Sequence, residues 1–384
     1  MNRGLAGYYV PISSVMEKCN TFVPNNLPPN PAILFDEELN ELLILASSAV
    51  GRLDGLTLLL PEPEIFLYTY VRKEAVLSSQ IEGTQSTLSD LLLFESDAAP
   101  GVPVEDAREV SNYVSALNFG LERMRAGLPI SLRLLREIHG VLLAKGRGGD
   151  KNPGEFRSSQ NWLGGNRPGN ARFVPPPPEL LLDCLGALEK FLHDDPVRTS
   201  PLVKAALSHV QFETIHPFLD GNGRLGRLLI PLLLCAEGEL SQPLLYLSLY
   251  FKQHRNDYYR LLQKVRLTGD WEAWLKFFLR GVKEIAGQAV DTARRLLRLF
   301  AEDRAKIQRL GRAAGSAYRI HQLLQSAPVC SAARLAEKTG LTSMTCRTVI
   351  RQLEKLGIVS AMTGEKYGQL FAYREYLQIL NRED

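Results

Sequence analysis

The apolar residues of this chain recur mostly every three or four positions, the spacing that places them on one face of an α-helix. Short pieces with Gly, Pro or Asp separate the periodic stretches, and strand-like alternation is scarce. The pattern predicts helices over residues 36–53, 64–81, 105–126, 131–145, 178–193, 200–215, 223–236, 251–267 and 271–300. The body of the protein is therefore predicted to be a mainly α-helical bundle.

Two segments depart from the helical pattern. Residues 1–35 are rich in Pro, Asn and Gly and predict an extended arm that lies on the body. Residues 156–178 have two short extended pieces around a Gly/Asn/Pro-rich turn at 164–170, which predicts a β-hairpin followed by a polyproline stop. Such a hairpin can hold a substrate segment by strand addition, although a plain surface loop fits the pattern as well.

Residues 316–376 predict a separate small unit. Three helices, over 317–326, 332–339 and 343–356, are followed by a Gly-containing hairpin, the pattern of a winged helix-turn-helix. The residues on or near the exposed side of the third helix are Thr342, Thr345, Arg347, Thr348 and Arg351. This unit predicts contact with DNA through residues 316–376, or else a protein-docking module of the same shape.

Composition and charge narrow the class of protein. The chain has 384 residues, 45% of them hydrophobic and 23% charged, which suits a globular protein of two or three domains. Its net charge of +3 hides a local excess, because residues 291–360 carry thirteen Lys/Arg against five Asp/Glu. That excess can attract an anionic polymer, and it can equally be the solvated face of a helix.

Other features argue against metal-stapled, secreted and membrane proteins. The five cysteines are scattered without a CxxC pair or a Cys/His cluster, so neither a zinc site nor a disulfide framework is indicated. The N-terminus lacks the apolar core of a signal peptide, and the densest apolar run, 228–236, is too short to span a bilayer. We expect a cytoplasmic protein with reduced thiols and no membrane contact.

One run of twelve residues, HPFLDGNGRLGR from His216 to Arg227, combines several groups suited to phosphate chemistry. Gly221 and Gly223 let the backbone turn tightly and bring bare N–H groups to a ligand. Because a helix is predicted from Arg224 onward, the turn lies at a helix N-terminus, where unpaired amides and the helix dipole favour phosphate. Arg224 and Arg227 are three positions apart, so both guanidinium groups can project near this end.

Two further side chains of the run add catalytic chemistry. Asp220 can reach a magnesium ion that bridges phosphates, since this hard cation prefers carboxylate oxygen. His216 titrates near neutral pH, as a base that accepts a hydroxyl proton should. Each group alone has a structural explanation, for example a buried histidine or an ordinary turn. Their joint occurrence predicts a site that holds a metal-bound polyphosphate while an attacking group loses a proton.

Residues 221–226 also match the GxGxxG pattern of dinucleotide-binding proteins. That pattern needs a preceding strand and a βαβ unit, whereas the preceding segment LVKAALSHVQFETI has helical period and no β-α-β alternation follows. A phosphate-binding P-loop is excluded as well, because no Lys-Ser/Thr pair follows the glycines.

The run HPFLDGNGRLGR resembles the signature of the Fic (filamentation induced by cAMP) family at all twelve positions. GEFRSSQNWLGG and ARFVPPPP resemble the family's target-binding flap. The LPPNP arm and the helix with SSQIEGT resemble the N-terminal region of Fic proteins that have a built-in inhibitory helix. The resemblance covers roughly residues 20–300. It implies a mainly α, Fic-type helical bundle with a short β-hairpin flap, plus the C-terminal winged helix-turn-helix domain.

The resemblance also suggests how the chain divides. The expected units are an N-terminal arm and inhibitory helix region at 1–104, a Fic catalytic core at 105–290 with its flap at 156–178, a helical linker at 291–315, and a winged-helix-like domain at 316–384.

The activity that the resemblance implies is that of a protein adenylyltransferase. Such an enzyme transfers AMP from ATP to a Ser, Thr or Tyr hydroxyl of a target protein, or of itself, and releases pyrophosphate. His216 would be the general base, Asp220 would hold Mg²⁺, and Arg227 would lie nearest the γ-phosphate. The implied ATP-binding residues are Gly221, Asn222, Gly223, Arg224, Leu225, Gly226, Arg227, Tyr258, Tyr259, Leu163 and Gly164.

The segment from Ser78 to Gly83 resembles the family's inhibitory pattern, Ser/Thr, three residues, then Glu and Gly or Asn. If Glu82 pairs with Arg227, this guanidinium is no longer available to the γ-phosphate. ATP would then bind with its α-phosphate badly placed for in-line attack, and a small misplacement is costly. Ser78 could brace the helix by hydrogen bonding.

Alternative functions stay open from the sequence. Relatives of this fold transfer other phosphate-containing groups or remove AMP from a target. A non-enzymatic regulator, in which the winged-helix unit binds DNA, is a third possibility. A homodimer is also compatible with the resemblance, because relatives often control inhibition through dimer contacts.

Overall fold

The computed structural model describes residues 2–13, 18–59, 63–95, 104–144, 146, 148–362 and 369–381. Its helices are α1 Glu37–Leu59, α2 Pro63–Ile81, α3 Leu88–Glu95, α4 Val104–Arg125, α5 Leu132–Leu142, α6 Pro178–Leu192, α7 Pro201–Ile215, α8 Asn222–Ala236, α9 Ser248–Gln253, α10 Arg255–Thr268, α11 Trp271–Gln308, α12 Ala314–Ser326, α13 Ala332–Thr339, α14 Ser343–Lys355 and α15 Arg374–Asn381. The strands are β1 Gly7–Ser13, β2 Lys18–Pro24, β3 Val329–Ser331, β4 Ser360–Ala361 and β5 Leu370–Ala372. The predicted mainly α fold is confirmed.

Helices α7 and α8 form the centre of the body. Every residue of α7 from Leu202 to Ile215 is buried, as are most residues of α8. Pro201 stands at the first turn of α7, where its missing N–H is no loss, and Pro217 follows the helix end closely. Helix α1 packs along α11 on one side, and α4 and α5 pack beside α8 on another. The end of α7 and the start of α8 are therefore held within the core.

The N-terminal arm is a β-hairpin rather than the extended segment expected from its composition. Strands β1 and β2 pair antiparallel from Gly7 opposite Pro24 to Ser13 opposite Lys18. The hairpin lies on the body because Phe22 is buried against Phe173 and its N–H donates to the carbonyl of Val174. Prolines and asparagines around the two strands concealed this local pairing, and the contact of Phe22 with residues 173 and 174 joins segments that are distant in sequence.

The predicted flap hairpin is reduced to one antiparallel bridge, between Leu163 and Phe173. A short 3-10 turn, Pro168–Asn170, closes the loop between them. Three other differences concern helices: the predicted helix 251–267 is split at His254 into α9 and α10, the predicted helix 271–300 continues to Gln308, and α3 and α15 were not predicted.

The C-terminal unit has the predicted winged helix-turn-helix form. Helices α12, α13 and α14 are followed by a three-stranded antiparallel sheet in the order β3-β5-β4. Residues 363–368 of the expected hairpin lie outside the described part of the chain. The unit packs on α2 through α12 and α15, with a 2.5 Å hydrogen bond between the hydroxyls of Thr69 and Tyr376. No helix in the described ranges is long and apolar enough to cross a membrane.

Candidate active site

His216 ends α7 in a left-handed backbone conformation, with φ of 51°. The following Pro217 disfavours helical geometry at His216, which explains why the helix stops there. A left-handed histidine is uncommon and needs support from its surroundings. That support comes from the flap segment: Arg157 Nε and Asn161 Nδ2 both donate to the carbonyl of His216, at 2.9 and 3.2 Å.

The turn between α7 and α8 is closed by Asn222. Its side-chain amide donates to the carbonyl of Phe218, and its side-chain oxygen accepts the N–H of Phe218 at 2.8 Å. Gly221 adopts φ of 77°, which a residue with a side chain rarely does. The side chain of Asn222 thus shapes the loop, and the N-terminal amides of α8 are left in a position where an anion is favoured.

His139 on α5 supports the turn between α7 and α8. Its Nδ1 accepts the N–H of Gly154 at 2.9 Å, so its Nε2 carries the proton and donates to the carbonyl of Asp220 at 3.0 Å. The ring also stacks on Phe218, with centroids 3.7 Å apart. Burial lowers the pKa of His139 to about 4, in keeping with a neutral ring that has a structural role.

Arg227 is held by the residues that resemble the inhibitory pattern. Its Nε donates to the Ser78 hydroxyl at 2.9 Å, and one terminal nitrogen donates to the Ser78 carbonyl at 3.0 Å and to Glu82 Oε1 at 2.6 Å. Burial alone would raise the pKa of Glu82, but the charge and hydrogen bond of Arg227 outweigh it and hold the pKa below its usual range. The Glu82 side chain is 36% exposed and that of Arg227 only 2%.

Glu82 also lies directly against the start of α8. A Cβ at Gly223 would overlap Oε1 of Glu82, so only glycine leaves room for this carboxylate. The carboxylate therefore occupies the helix N-terminus, where an anion is favoured by the dipole and the unpaired amides. A phosphate at the same place would have to displace it.

Arg224 takes a different position from Arg227. One terminal nitrogen lies 2.7 Å from the buried carboxylate of Glu109 on α4, and the other donates to Asp220 at 3.3 Å. Asp220 also accepts the N–H of Gly221 at 2.6 Å, and its second oxygen faces Gly148. The guanidinium lies near the N-terminal end of α8, where the Glu109 carboxylate already binds it.

The His216 ring is neutral at physiological pH. Burial, helped by the guanidinium groups of Arg266 and Arg157, lowers its pKa to about 4, below the near-neutral value expected from the sequence. Arg266 donates to the carbonyl of Glu213 at 3.2 Å and lies over the ring of Phe173, with 3.9 Å between its guanidinium carbon and the ring centroid. This arginine therefore joins the end of α7 to the flap.

The two predicted adenine-site tyrosines differ in position. Tyr258 is buried, and its hydroxyl lies 2.9 Å from Nε2 of His209, whose Nδ1 bonds the carbonyl of Gly226. Tyr259 is 43% exposed, and the Arg255 guanidinium lies 5.3 Å from its ring centroid. Tyr259 is therefore the member of the pair that a nucleotide could contact by its side chain.

The structure brings most of the predicted site residues to one place at the start of α8. Gly223 and Arg227 contact Glu82 there, and the charge of Glu82 acts on the His216 ring. Asp220 reaches the same helix end through its hydrogen bond with Arg224. Leu225 lies in the core. Leu163 and Gly164 contact Phe173 and Arg172 within the flap, and it is Asn161 that joins the flap to the loop after α7, by donating to the carbonyl of Phe218. The residues that sequence reasoning missed are Glu109, His139, Arg157, Asn161, Glu213 and Arg266.

The described residues contain no group of three or more His, Cys, Asp and Glu side chains that could hold a metal on its own. Asp220 offers one carboxylate, 36% exposed, at the edge of the phosphate-facing turn. This donor fits Mg²⁺, which is commonly bound by one or two carboxylates together with substrate phosphates and water.

Comparison with known proteins places this site within known domains. Residues 40–122 match the Fic/DOC family N-terminal domain, and residues 129–234 match the Fic/DOC family. Residues 316–360 match a family described as winged helix-turn-helix DNA-binding. The first match contains Glu82, and the second contains the whole run from 216 to 227.

Curated relatives are similar over part of the chain. "Protein adenylyltransferase Fic" from Drosophila yakuba is 31% identical over 203 residues, which is 51% of this chain and 37% of that relative. The protein of the same name from Drosophila melanogaster is 30% identical over 203 residues, with the same coverage. The chain thus spans well under half the length of these relatives.

Solved structures show the same fold. A Fic family protein from Desulfovibrio desulfuricans G20 aligns with a TM-score of 0.58 and 21% identity, covering 90% of this chain and 98% of that chain. A Fic domain containing signaling protein from Bacteroides thetaiotaomicron aligns with a TM-score of 0.51 and 19% identity, covering 67% and 97%.

Proposed function

Because the chain carries Fic N-terminal and Fic domains followed by a winged helix-turn-helix domain, we propose that it is a protein adenylyltransferase held inactive by Glu82. It transfers AMP from ATP to a Ser, Thr or Tyr hydroxyl of a target protein or of itself. The name of the curated relatives supports this reaction class. The observation that carries the proposal is the Arg227–Glu82 pair at the N-terminus of α8.

The N-terminal turn of α8 is the proposed site of the ATP phosphates. Amides at the start of a helix bind phosphate well, and Arg227 adds a guanidinium at the same end. Asp220 would hold Mg²⁺, which when bound neutralises phosphate charge. Tyr259 and the flap at Leu163 and Gly164 would border the rest of the nucleotide.

His216 is the proposed general base. Its ring is neutral at physiological pH, so a ring nitrogen is available to take the proton of the target hydroxyl. The hydroxyl oxygen then forms a bond to the α-phosphorus, the bond from that phosphorus to the bridging oxygen breaks, and pyrophosphate leaves. The α8 amides and Arg227 stabilise the charge on the phosphates during this exchange.

Glu82 inhibits by competing for the place of the γ-phosphate. Its carboxylate is itself an anion at the helix N-terminus and neutralises Arg227. A triphosphate that enters beside Glu82 lacks this anchor, so its α-phosphorus is displaced from the line of attack. Removal of the carboxylate frees both the amides and the guanidinium.

Labelled ATP tests the reaction directly. Glu82→Gly is expected to transfer label to protein from ATP labelled at the α-phosphate but not at the γ-phosphate, whereas Glu82→Gly with His216→Ala transfers neither. Gln85→Gly, in the loop after the same helix, is the matched control and should behave like the unmodified chain. Label from the γ-phosphate would indicate kinase-type transfer instead.

Mass spectrometry of the labelled protein separates the remaining reactions, because AMP, UMP, phosphocholine and phosphate add different masses. Glu82→Gly that modifies neither a lysate nor itself, yet removes AMP from a modified protein, would reverse the proposed direction. A silent Glu82→Gly variant in every assay would refute the inhibitory role.

The winged-helix domain supports a second function, binding of double-stranded DNA. Arg347, Thr348 and Arg351 are exposed along α14, where such domains present side chains to the major groove. Replacement of both arginines by alanine should weaken DNA binding and reduce its dependence on salt. DNA binding that is unchanged in this variant would assign the helix to protein docking.

A further inference from the structure

Two buried polar groups face each other beneath the candidate site. Glu213 lies three residues before His216, and its Oε2 is 4.0 Å from Nδ1 of His216. Within the described part of the chain, neither Nδ1 of His216 nor Oε1 of Glu213 has a hydrogen-bond partner. A buried polar atom without a hydrogen-bond partner lowers the stability of the fold. A rearrangement that pairs these two side chains would therefore be favourable.

Gly226 explains how a carboxylate fits at this depth. A Cβ at Gly226 would lie 2.8 Å from Oε1 of Glu213, closer than neighbouring atoms tolerate. The GNGRLGR run thus has a second glycine with a packing role, since it lets α8 approach α7 while Glu213 stays between them. The sequence pattern assigned Gly226 to ATP binding, but its contacts point to the carboxylate.

We propose that Glu213 is the positioning residue of His216: its carboxylate accepts a hydrogen bond from Nδ1–H and thereby leaves Nε2 as the nitrogen that takes the target proton. This inference rests on the proposed adenylyl transfer. A rotation of the Glu213 side chain would bring Oε2 from 4.0 Å to an ordinary hydrogen-bond distance of about 2.8 Å. The main-chain carbonyl of Glu213 also interacts with the ring and favours its protonated form.

The charges around the ring show why a carboxylate is needed. Arg157 from the flap segment and Arg266 from α10 both disfavour a protonated ring, and Glu82 from α2 favours it. Nucleotide binding displaces Glu82 in the proposed mechanism. Glu213 is then the nearby carboxylate that can stabilise the imidazolium against the two arginines.

The proton can be followed through the reaction. It leaves the target hydroxyl for Nε2 as the oxygen–phosphorus bond forms and pyrophosphate departs. The ring then carries protons on both nitrogens, with Nδ1–H paired to the Glu213 carboxylate, and later releases the Nε2 proton to solvent. Burial raises the pKa of Glu213 to about 7, while Arg227 and Arg266 act in the opposite direction.

The test compares Glu213→Gln and Glu213→Leu in the Glu82→Gly background. Loss of a group that assists a general base should reduce kcat, on the order of tenfold to a hundredfold for Glu213→Leu, with KM for ATP unchanged. Only the ionised carboxylate accepts a hydrogen bond from Nδ1–H, and burial raises the pKa of Glu213 to about 7, so kcat of the Glu82→Gly background should fall on an acid limb as pH drops through this value. Glu213→Gln has no such titration, so its kcat should be lower and should lack this acid limb.

Glu74 provides the matched control. Burial also raises its pKa to about 7, but its carboxylate binds Ser248 and Tyr113 rather than His216. Glu74→Gln should leave the acid limb where it is. A rise of KM for ATP at constant kcat in Glu213→Gln would instead assign Glu213 to Arg227 and overturn the proposal. An unchanged kcat and pH profile would show that the main-chain carbonyl suffices, which overturns it too.

A readout without catalysis separates this inference from the proposed function. Nitrogen NMR of histidine-labelled Glu82→Gly protein reports the tautomer of the ring, and the signal absent from His216→Ala identifies it. The Nδ1-protonated form is expected when Glu213 is present, and a mixture of tautomers is expected in Glu213→Leu. Thermal melting shows whether each variant folds. If Glu213→Leu does not fold, Glu213→Gln is used for the comparison. The same tautomer in all variants contradicts the inference even if AMP transfer is found.

Discussion

At the scale of single residues, the candidate site depends on Arg157, a buried arginine that no motif or spacing in the sequence identifies. Arg157 donates to the carbonyls of His216, Ile215 and Pro176, so one guanidinium connects the end of α7 to the flap. Burial lowers its pKa to about 10, which leaves it charged at neutral pH. Arg157, together with Asn161, thus holds the left-handed backbone of His216 by hydrogen bonds to its carbonyl.

Arg157→Ala is therefore expected to affect both stability and catalysis. Several buried carbonyls lose their donor, which should cost about 3 kcal/mol of unfolding free energy. Urea unfolding measures this loss, and kcat of the Glu82→Gly background should fall with it as His216 is misplaced. Arg198→Ala, an exposed arginine outside the site, is the control with little effect on either. Equal unfolding free energies for the two variants would show that the hydrogen bonds of Arg157 do not stabilise the fold.

The residues that could be predicted are those whose geometry is local. His216, Asp220 and Arg227 lie in one run, where a turn into a helix N-terminus places them together whatever surrounds them. Arg157 meets His216 across 59 positions and Asp220 meets His139 across 81. No spacing rule along one chain connects such pairs, so only the fold could bring them together.

At the scale of elements, most helices were predictable, whereas the strands of the N-terminal arm were not. Apolar spacing gave α5 to α8 nearly to their ends, because proline and glycine mark their limits. Strands β1 and β2 pair locally, but the main-chain hydrogen bond from Phe22 to Val174 on the flap joins segments that are distant in sequence. The N-terminal hairpin is therefore a further support of the flap, beside its contacts with the end of α7.

Phe22→Ala tests that support. The ring is almost fully buried between Tyr9 and Phe173, so its loss should cost about 3–5 kcal/mol in the part of the structure that it supports. We expect faster tryptic cleavage after Arg167 and Arg172 in the flap. Mass spectrometry of the fragments over time measures the cleavage rate. Tyr8→Ala, on the exposed side of the same hairpin, is the control. Cleavage rates equal to those of the control would show that the flap is positioned without the hairpin.

At the scale of the whole molecule, the winged-helix domain is connected to the helix that carries Glu82. Thr69 and Lys73 of α2 bond the Tyr376 hydroxyl and the Leu380 carbonyl of α15, at 2.5 and 2.7 Å. Ser78 lies near the end of the same helix, and Glu82 is the first residue after it. The outer face of α2 is thus braced by the C-terminal domain while its end holds Arg227.

This brace predicts an effect that depends on Glu82. Tyr376→Phe removes one buried hydrogen bond to α2, worth about 0.5–1.5 kcal/mol. This loss should weaken the contact of Glu82 with Arg227. Transfer of label from ATP should rise roughly twofold to tenfold in the otherwise unmodified chain, the factor to which that free energy corresponds. In the Glu82→Gly background the same substitution should add nothing, because no inhibitory contact is left to weaken. Tyr318→Phe removes a hydroxyl that accepts a hydrogen bond from Arg304 of α11 rather than from α2, and should change neither. An equal rise in both backgrounds would mean that Tyr376 acts on the core directly and that the two domains are packed together without regulatory coupling.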